Sequence, residues 1–145
     1  MNMLMGIGSE INGDDAAGVM VAKRFRKAGW KSVNCETVPE NFVPVVRRER
    51  PQVLVIVDAS DMGLEAGEIR LIPKNRLNSE TDSTHSMSLR FLADELEKHA
   101  GRILFIGIQP KVMNICGEVS HEVSKAVEKL LDMLQKADFS HIKTL

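Results

Sequence analysis

The stretch VLVIVD, residues 53–58, has five apolar side chains in a row and ends in Asp58. A run that is apolar at every position is typical of a parallel strand covered by helices on both faces. Residues 3–7 and 102–108 have the same apolar character. The sequence therefore predicts a sheet whose main strands are buried from both sides.

Segments with a helical spacing of apolar residues alternate with these strands. In residues 15–28, Ala16, Val19 and Phe25 can share one face while Lys23 and Arg24 occupy the other. Alternating strands and helices indicate an α/β fold with a mostly parallel sheet between helical layers. The predicted helices are 15–28 (with Gly29 as C-cap), 42–49, 86–99 and 119–135, and the predicted strands are 3–7, 33–38, 53–58, 67–72 and 102–108.

Two segments depart from this alternation. Residues 67–72, GEIRLI, follow the preceding strand after a loop too short for a helical crossover. We therefore expect an antiparallel strand at or near a sheet edge. We expect residues 138–145, which follow the last predicted helix, to fray. The chain of 145 residues is predicted to be one domain, residues 1–145.

The composition is that of a globular protein, with 43% apolar residues, 27% charged residues and a net charge of −1. It gives no reason to expect a nucleic acid or a membrane as partner. Cys35 and Cys116 form no CxxC pair, which argues against a zinc knuckle or a disulfide framework. With no signal peptide evident at the N-terminus, we expect a cytoplasmic protein.

The first loop, GIGSEINGDDAAG at residues 6–18, begins like a nucleotide-binding turn but places Asp14 and Asp15 where a phosphate would lie. Like charges at short range disfavour a phosphate there, so dinucleotide binding is the weaker interpretation. We expect Asp14 to be the N-cap of the following helix and Asp15 to lie in its first turn. One acid suffices to cap the helix, so the second acid indicates a role other than capping.

Asp58 and His85 belong to the same edge of the predicted sheet, because sites of α/β folds lie beyond the carboxyl ends of the strands. Each has a simpler interpretation: Asp58 as a turn-capping residue, His85 as a surface imidazole. Together with Asp15 they make two carboxylates and one imidazole. That set suits a hard or borderline divalent ion with open coordination positions.

Five stretches resemble the hydrogenase maturation endopeptidases: GIGSEINGDDAAG, ETVPEN, VLVIVDASDMGLEAGEIRLI, STHSMSLRFL and FIGIQP. The similarity runs from about residue 4 to residue 135 and is greatest to the branch that processes the large subunit of formate-hydrogenlyase-type [NiFe] hydrogenase. It implies a three-layer α/β/α domain with a five-stranded mixed sheet and one antiparallel strand. It also implies an enzyme that removes a C-terminal extension from the large-subunit precursor after nickel insertion.

The resemblance implies that Asp15, Asp58 and His85 are the metal-contacting and catalytic residues. The nickel would be supplied by the precursor, and other divalent ions could occupy the site adventitiously. We expect a monomer that acts on the hydrogenase large-subunit precursor. Matches at other loop ends make three further residues candidates for lining the cleft, with core or turn roles as the alternative: Glu40, Asn41 and Gln109.

Two other classes of function stay open at this stage. A non-enzymatic nickel-binding chaperone would use the same three residues without cleaving the precursor, and a nucleotide-binding module would use the glycine-rich turn. The sequence offers no credible Ser–His–Asp or Cys–His set for nucleophilic catalysis. For peptide hydrolysis this leaves a water molecule activated by a carboxylate or by a metal ion.

Overall fold

The computed structural model describes residues 1–77, 88–111, 113–114 and 117–145. In these ranges six strands form a single sheet, in the order β2–β1–β3–β5–β4–β6. The strands β1, β2, β3 and β5 are mutually parallel where they pair. The strand bounds are Asn2–Ile7 (β1), Trp30–Glu36 (β2), Val53–Ala59 (β3), Ile69–Leu71 (β4), Arg102–Ile108 (β5) and Lys143–Thr144 (β6).

Two helical layers cover the sheet. The helices are α1 (Ala17–Arg24), α2 (Val43–Glu49), α3 (Leu89–Leu96) and α4 (His121–Lys136). Successive residues of β3 point to opposite faces, so Val55 packs with α1 and α4, whereas Leu54 and Ile56 pack with α2 and α3. The α/β/α prediction is thereby confirmed. No helix in the described ranges is both long enough and apolar enough to cross a lipid bilayer.

The antiparallel strand predicted from GEIRLI is confirmed, since β4 pairs antiparallel with β5. The predicted count of five strands is one too low, because β6 pairs parallel with β4 at the edge of the sheet. The expectation that residues 138–145 fray is wrong. Ile142 is buried in the core, and the backbone N–H of Leu145 donates to the carbonyl of Leu71 over 2.8 Å.

The first helix ends earlier than its apolar spacing predicts. Phe25 has an extended backbone with ψ of 126°, and α1 ends before it at Arg24. The Phe25 ring is fully buried and packs edge-to-face on Trp30 with a centroid distance of 5.3 Å. A backbone with this ψ cannot continue an α-helix, so the helix ends where the Phe25 ring packs into the core. Gly29, the predicted C-cap, instead supplies the positive φ of +83° in the turn before β2.

Candidate active site

Buried polar side chains concentrate where β1, β3 and β5 end, which we call the carboxyl edge. The described part of the chain has five of them: Asp14, Asp15, Asp58, Ser88 and Gln109. Asp58 is the last residue but one of β3, Gln109 directly follows β5, and the other two aspartates lie in the segment after β1. Because charged side chains are rarely buried without a specific reason, this edge is the candidate active site.

The segment after β1 is packed tightly against the ends of two strands. A Cβ atom added at Gly18, in the first turn of α1, would lie 2.3 Å from the carbonyl oxygen of Val57 and 2.4 Å from that of Ile7. The short 3₁₀ helix Gly13–Ala16, which precedes α1, contacts β3. Glycine at position 18 therefore allows the Asp15 segment to pack close to β3, the strand that carries Asp58.

Asp15 is 1% exposed and held by the turn that leaves β1. Its Oδ2 accepts a hydrogen bond from the backbone N–H of Ser9 over 3.0 Å. A Cβ atom at Gly8, which has φ of +147°, would lie 1.9 Å from the Asp15 carbonyl oxygen. The backbone of the glycine turn thus fixes this carboxylate, and the side chain of Ser9 is not needed for it.

The predicted N-cap role of Asp14 is wrong. The residue that precedes the 3₁₀ helix is Asn12, and Asp14 lies inside the first turn. Its fully buried carboxylate accepts hydrogen bonds from the backbone N–H groups of Lys111, over 2.7 Å, and Ser120, over 2.6 Å. The hydroxyl of Ser120 also donates to it over 2.8 Å. Asp14 therefore joins the first loop to the loop between β5 and α4.

Gln109 organises the loop that follows β3. Its Oε1 accepts hydrogen bonds from the backbone N–H groups of Met62 and Leu64, over 2.7 and 3.3 Å. Its Nε2 donates to Oδ1 of Asp61 over 3.2 Å. Gln109, predicted as a candidate for lining the cleft, thus has a structural role at the carboxyl edge, where it holds residues 61–64 in the loop after β3.

Glu40 and Asn41 follow β2 in the 3₁₀ helix Pro39–Phe42. Glu40 is half-buried, whereas Asn41 is exposed. Burial raises the pKa of the Cys35 thiol to about 12, and the negative charge of Glu40 adds to this effect. Cys35 is a buried free thiol, and Cys116 lies outside the described residues.

The third predicted metal-contacting residue, His85, also lies outside the described residues. Within the described ranges, no group of three or more histidine, cysteine, aspartate and glutamate side chains could hold a metal ion. Asp15 and Asp58 are thus the two members of the predicted ligand set whose positions the structure gives. Their carboxylate chemistry suits a divalent cation, and two such groups leave most coordination positions open.

The fold and the acidic carboxyl edge define an α/β/α domain with its candidate site at the ends of parallel strands. The family model of the hydrogenase maturation proteases, HycI, matches residues 19–137. The chain is 35% identical over 138 residues to the hydrogenase 3 maturation protease of Escherichia coli strain K12, covering 92% of this chain and 88% of that protein. The chain belongs to the hydrogenase maturation protease family, and it is a peptidase.

Solved structures agree with this assignment. A crystal structure of hydrogenase 3 maturation protease is 32% identical and superposes with a TM-score of 0.91 over 100% of this chain and 96% of that one. The HycI protease of Thermococcus kodakarensis is 31% identical with a TM-score of 0.82, covering 93% and 90% of the two chains. The E. coli endopeptidase HybD shares the fold at 14% identity, with a TM-score of 0.77 over 94% and 90%.

Proposed function

We propose that this protein is an endopeptidase that removes a C-terminal extension from the precursor of a [NiFe] hydrogenase large subunit. The observation that carries the proposal is the burial of Asp15 and Asp58 at one sheet edge, in a chain of the hydrogenase maturation protease family. The E. coli relative is named as the maturation protease of hydrogenase 3, which supports a hydrogenase subunit as the substrate.

Asp15, Asp58 and His85 are proposed to contact the nickel that the precursor carries. The burial of the Asp15 and Asp58 carboxylates, which are 1% and 6% exposed, supports cation binding, because buried charges are paired with opposite charge or coordinate metals. By strand alternation Asp58 lies on the same sheet face as Ile56, the face that α3 covers. His85 precedes α3 by four positions in the sequence, which supports its joining Asp58.

The incomplete ligand set supports recognition of nickel in the substrate over storage of nickel in the protease. Two carboxylates and one imidazole without a thiolate should hold a free divalent ion only modestly. The affinity rises when the ion arrives fixed in a docked precursor, because the remaining contacts between the two proteins then hold it in place. Other divalent ions could occupy the same residues adventitiously.

The carboxylate pair also supplies the base that peptide hydrolysis needs. A water molecule that attacks the scissile carbonyl must lose a proton, and a carboxylate within hydrogen-bond distance can accept it. A metal ion at the site would supply the alternative route to an activated water molecule. Both routes require the anionic form of Asp58, so a substitution that removes the charge of Asp58 tests the site.

The test is the rate of cleavage of nickel-loaded precursor, followed by mass spectrometry. Asp58→Asn is nearly isosteric but supplies neither an anionic ligand nor a base, so we expect a loss of at least about 100-fold with the fold intact. The matched control is Asp61→Asn, the same change three residues later. The exposed Asp61 accepts from Nε2 of Gln109, and an asparagine oxygen can still accept that bond.

The two variants together decide the assignment. Cleavage by Asp58→Asn at the rate of the wild-type protein would remove Asp58 from the mechanism, and an equal loss in both variants would show that the loop, not the carboxylate, matters. A nickel-binding chaperone would bind the loaded precursor and leave its mass unchanged. The wild-type assay therefore separates that alternative from the peptidase.

A further inference from the structure

We propose that Asp14 is a positioning residue, which fixes Asp15 relative to Lys111 and Ser120 in the segment between β5 and α4. It is not assigned a contact with the substrate or the metal. The inference rests on the proposed function for its activity readout, whereas its structural readout is independent of that function. It replaces the capping role that the sequence predicts for Asp14.

Both oxygens of the Asp14 carboxylate are engaged by the same distant loop. Oδ2 accepts from the backbone N–H of Lys111 and from the hydroxyl of Ser120, and Oδ1 accepts from the backbone N–H of Ser120. Ser120 is itself the N-cap of α4, because its Oγ accepts from the backbone N–H of Val123 over 3.3 Å. One carboxylate thus links the first loop to the start of α4 and to Lys111, three residues after the end of β5.

A second contact joins the same two loops. Asn12, two residues before Asp14, forms an isolated parallel bridge with Gly117. Asp15 follows directly in the chain, and its carboxylate accepts a hydrogen bond from the backbone N–H of Ser9. Because Asp14 is fully buried and covalently joined to Asp15, we expect a shift of its backbone to displace Asp15 as well.

The chemistry at this position requires two acceptor oxygens. Asparagine keeps the size of aspartate but replaces one acceptor with an NH₂ donor, which would face an N–H or O–H donor of the partner loop. At least one buried donor then loses its partner, and the loop moves to restore it. A displacement of a catalytic group by about 1 Å can reduce a rate roughly 100-fold.

The experiment measures two quantities in the full-length wild-type protein and in Asp14→Asn. The first is amide hydrogen exchange by NMR at Ser9, whose N–H donates to Asp15, and at Gly8, whose N–H donates to the Glu36 carbonyl over 2.8 Å. The second is kcat for nickel-loaded precursor at a temperature at which both proteins are folded. Gly8 is the internal reference, because a general loss of stability accelerates exchange at both amides.

The matched control is Lys111→Ala. This change removes the exposed ion pair between Lys111 and Glu122, whose N–O distance is 2.7 Å and which also connects Lys111 to α4. It keeps the backbone N–H of Lys111 that donates to Asp14. We expect Asp14→Asn to accelerate exchange at Ser9 about tenfold relative to Gly8. We expect its kcat to fall roughly 10- to 100-fold, and Lys111→Ala to leave both quantities within about twofold of the wild type.

Equal changes at Ser9 and Gly8, or no change at Ser9, would overturn the proposal at any value of kcat. If Asp14→Asn does not fold, Ser120→Ala takes its place. This variant removes the hydroxyl that donates to Asp14 and keeps the backbone N–H donors of Lys111 and Ser120. Unchanged exchange at Ser9 in Ser120→Ala would also overturn the proposal. A wild-type protein that cleaves no precursor would contradict the proposed function, and the exchange at Ser9 would still decide the role of Asp14.

Discussion

Replacing Gly18 with alanine has two opposing effects on stability, and the structure allows us to compare their sizes. Gly18 lies in the first turn of α1, where helix propensity alone favours alanine over glycine by roughly 0.8–1.0 kcal/mol. Against this, the new Cβ atom would meet the carbonyl oxygens of Val57 at 2.3 Å and Ile7 at 2.4 Å. Both neighbours are backbone atoms of β1 and β3, so no side-chain rotation can relieve the contact.

The steric effect should dominate. Overpacking of a close-packed interior costs about 1–3 kcal/mol and more where the surroundings cannot relax. The neighbours of Gly18 belong to the paired strands β1 and β3, so α1 must move instead. Both colliding atoms are backbone, so we take the upper end of that range, about 3 kcal/mol. After subtracting about 1 kcal/mol for the gain in helix propensity, we expect the free energy of unfolding to fall by about 2 kcal/mol. For a chain of this size the melting temperature should fall by roughly 4–8 °C.

The assay is thermal and urea unfolding of Gly18→Ala and of Gly29→Ala, the control. Gly29 has φ of +83° and no heavy atom within 4 Å of a built Cβ, so alanine there meets backbone strain of about 1–2 kcal/mol without a collision. Cleavage should fall in Gly18→Ala, because Asp15 moves with α1, and persist in Gly29→Ala. A Gly18→Ala protein as stable as the wild type would refute the close approach of α1 to β1 and β3.

Two further predictions concern stability. The pKa of the Cys35 thiol is raised from 9.0 to about 12, so the folded protein keeps this proton where the unfolded chain releases it. The free energy of unfolding should therefore fall as the pH rises from about 9 to about 12, by at most about 1.4 kcal/mol per pH unit. The fall is measured relative to Cys35→Ala at the same pH values. If the free energies of unfolding of the two proteins changed with pH in the same way, the prediction would be contradicted. Ile142→Ala should cost about 2–5 kcal/mol in urea unfolding because Ile142 is buried in the core, whereas a cost near zero would mean that the C-terminal segment frays.

The central strands and the antiparallel β4 could be predicted because their signals are local. An unbroken apolar run such as residues 53–58 indicates a buried parallel strand, and a short loop excludes a helical crossover. The strand β6 could not be predicted in this way. It has two exposed residues, and its position depends on pairing with β4 and on the burial of Ile142 near it.

In the candidate site, too, some residues could be predicted from the sequence and others could not. Asp15 and Asp58 could be singled out because the carboxyl ends of parallel strands meet at one edge, which sequence order alone determines. The partners of Asp14 could not, because Lys111 and Ser120 are 97 and 106 residues away. A local rule assigns an aspartate before a helix to N-capping. Only the packing of the first loop against the segment between β5 and α4 shows that Asp14 accepts hydrogen bonds from distant residues instead.

The measurement that tests the central claim most directly compares cleavage rates on three substrates: nickel-loaded precursor, metal-free precursor, and metal-free precursor given to protease that was preincubated with nickel. If Asp15, Asp58 and His85 contact nickel that the precursor carries, only the loaded precursor should be shortened at an appreciable rate, and Asp58→Asn should abolish that cleavage. Equal rates on loaded and metal-free precursor would contradict the account. Activity restored by loading the protease alone would show an ordinary metallopeptidase instead.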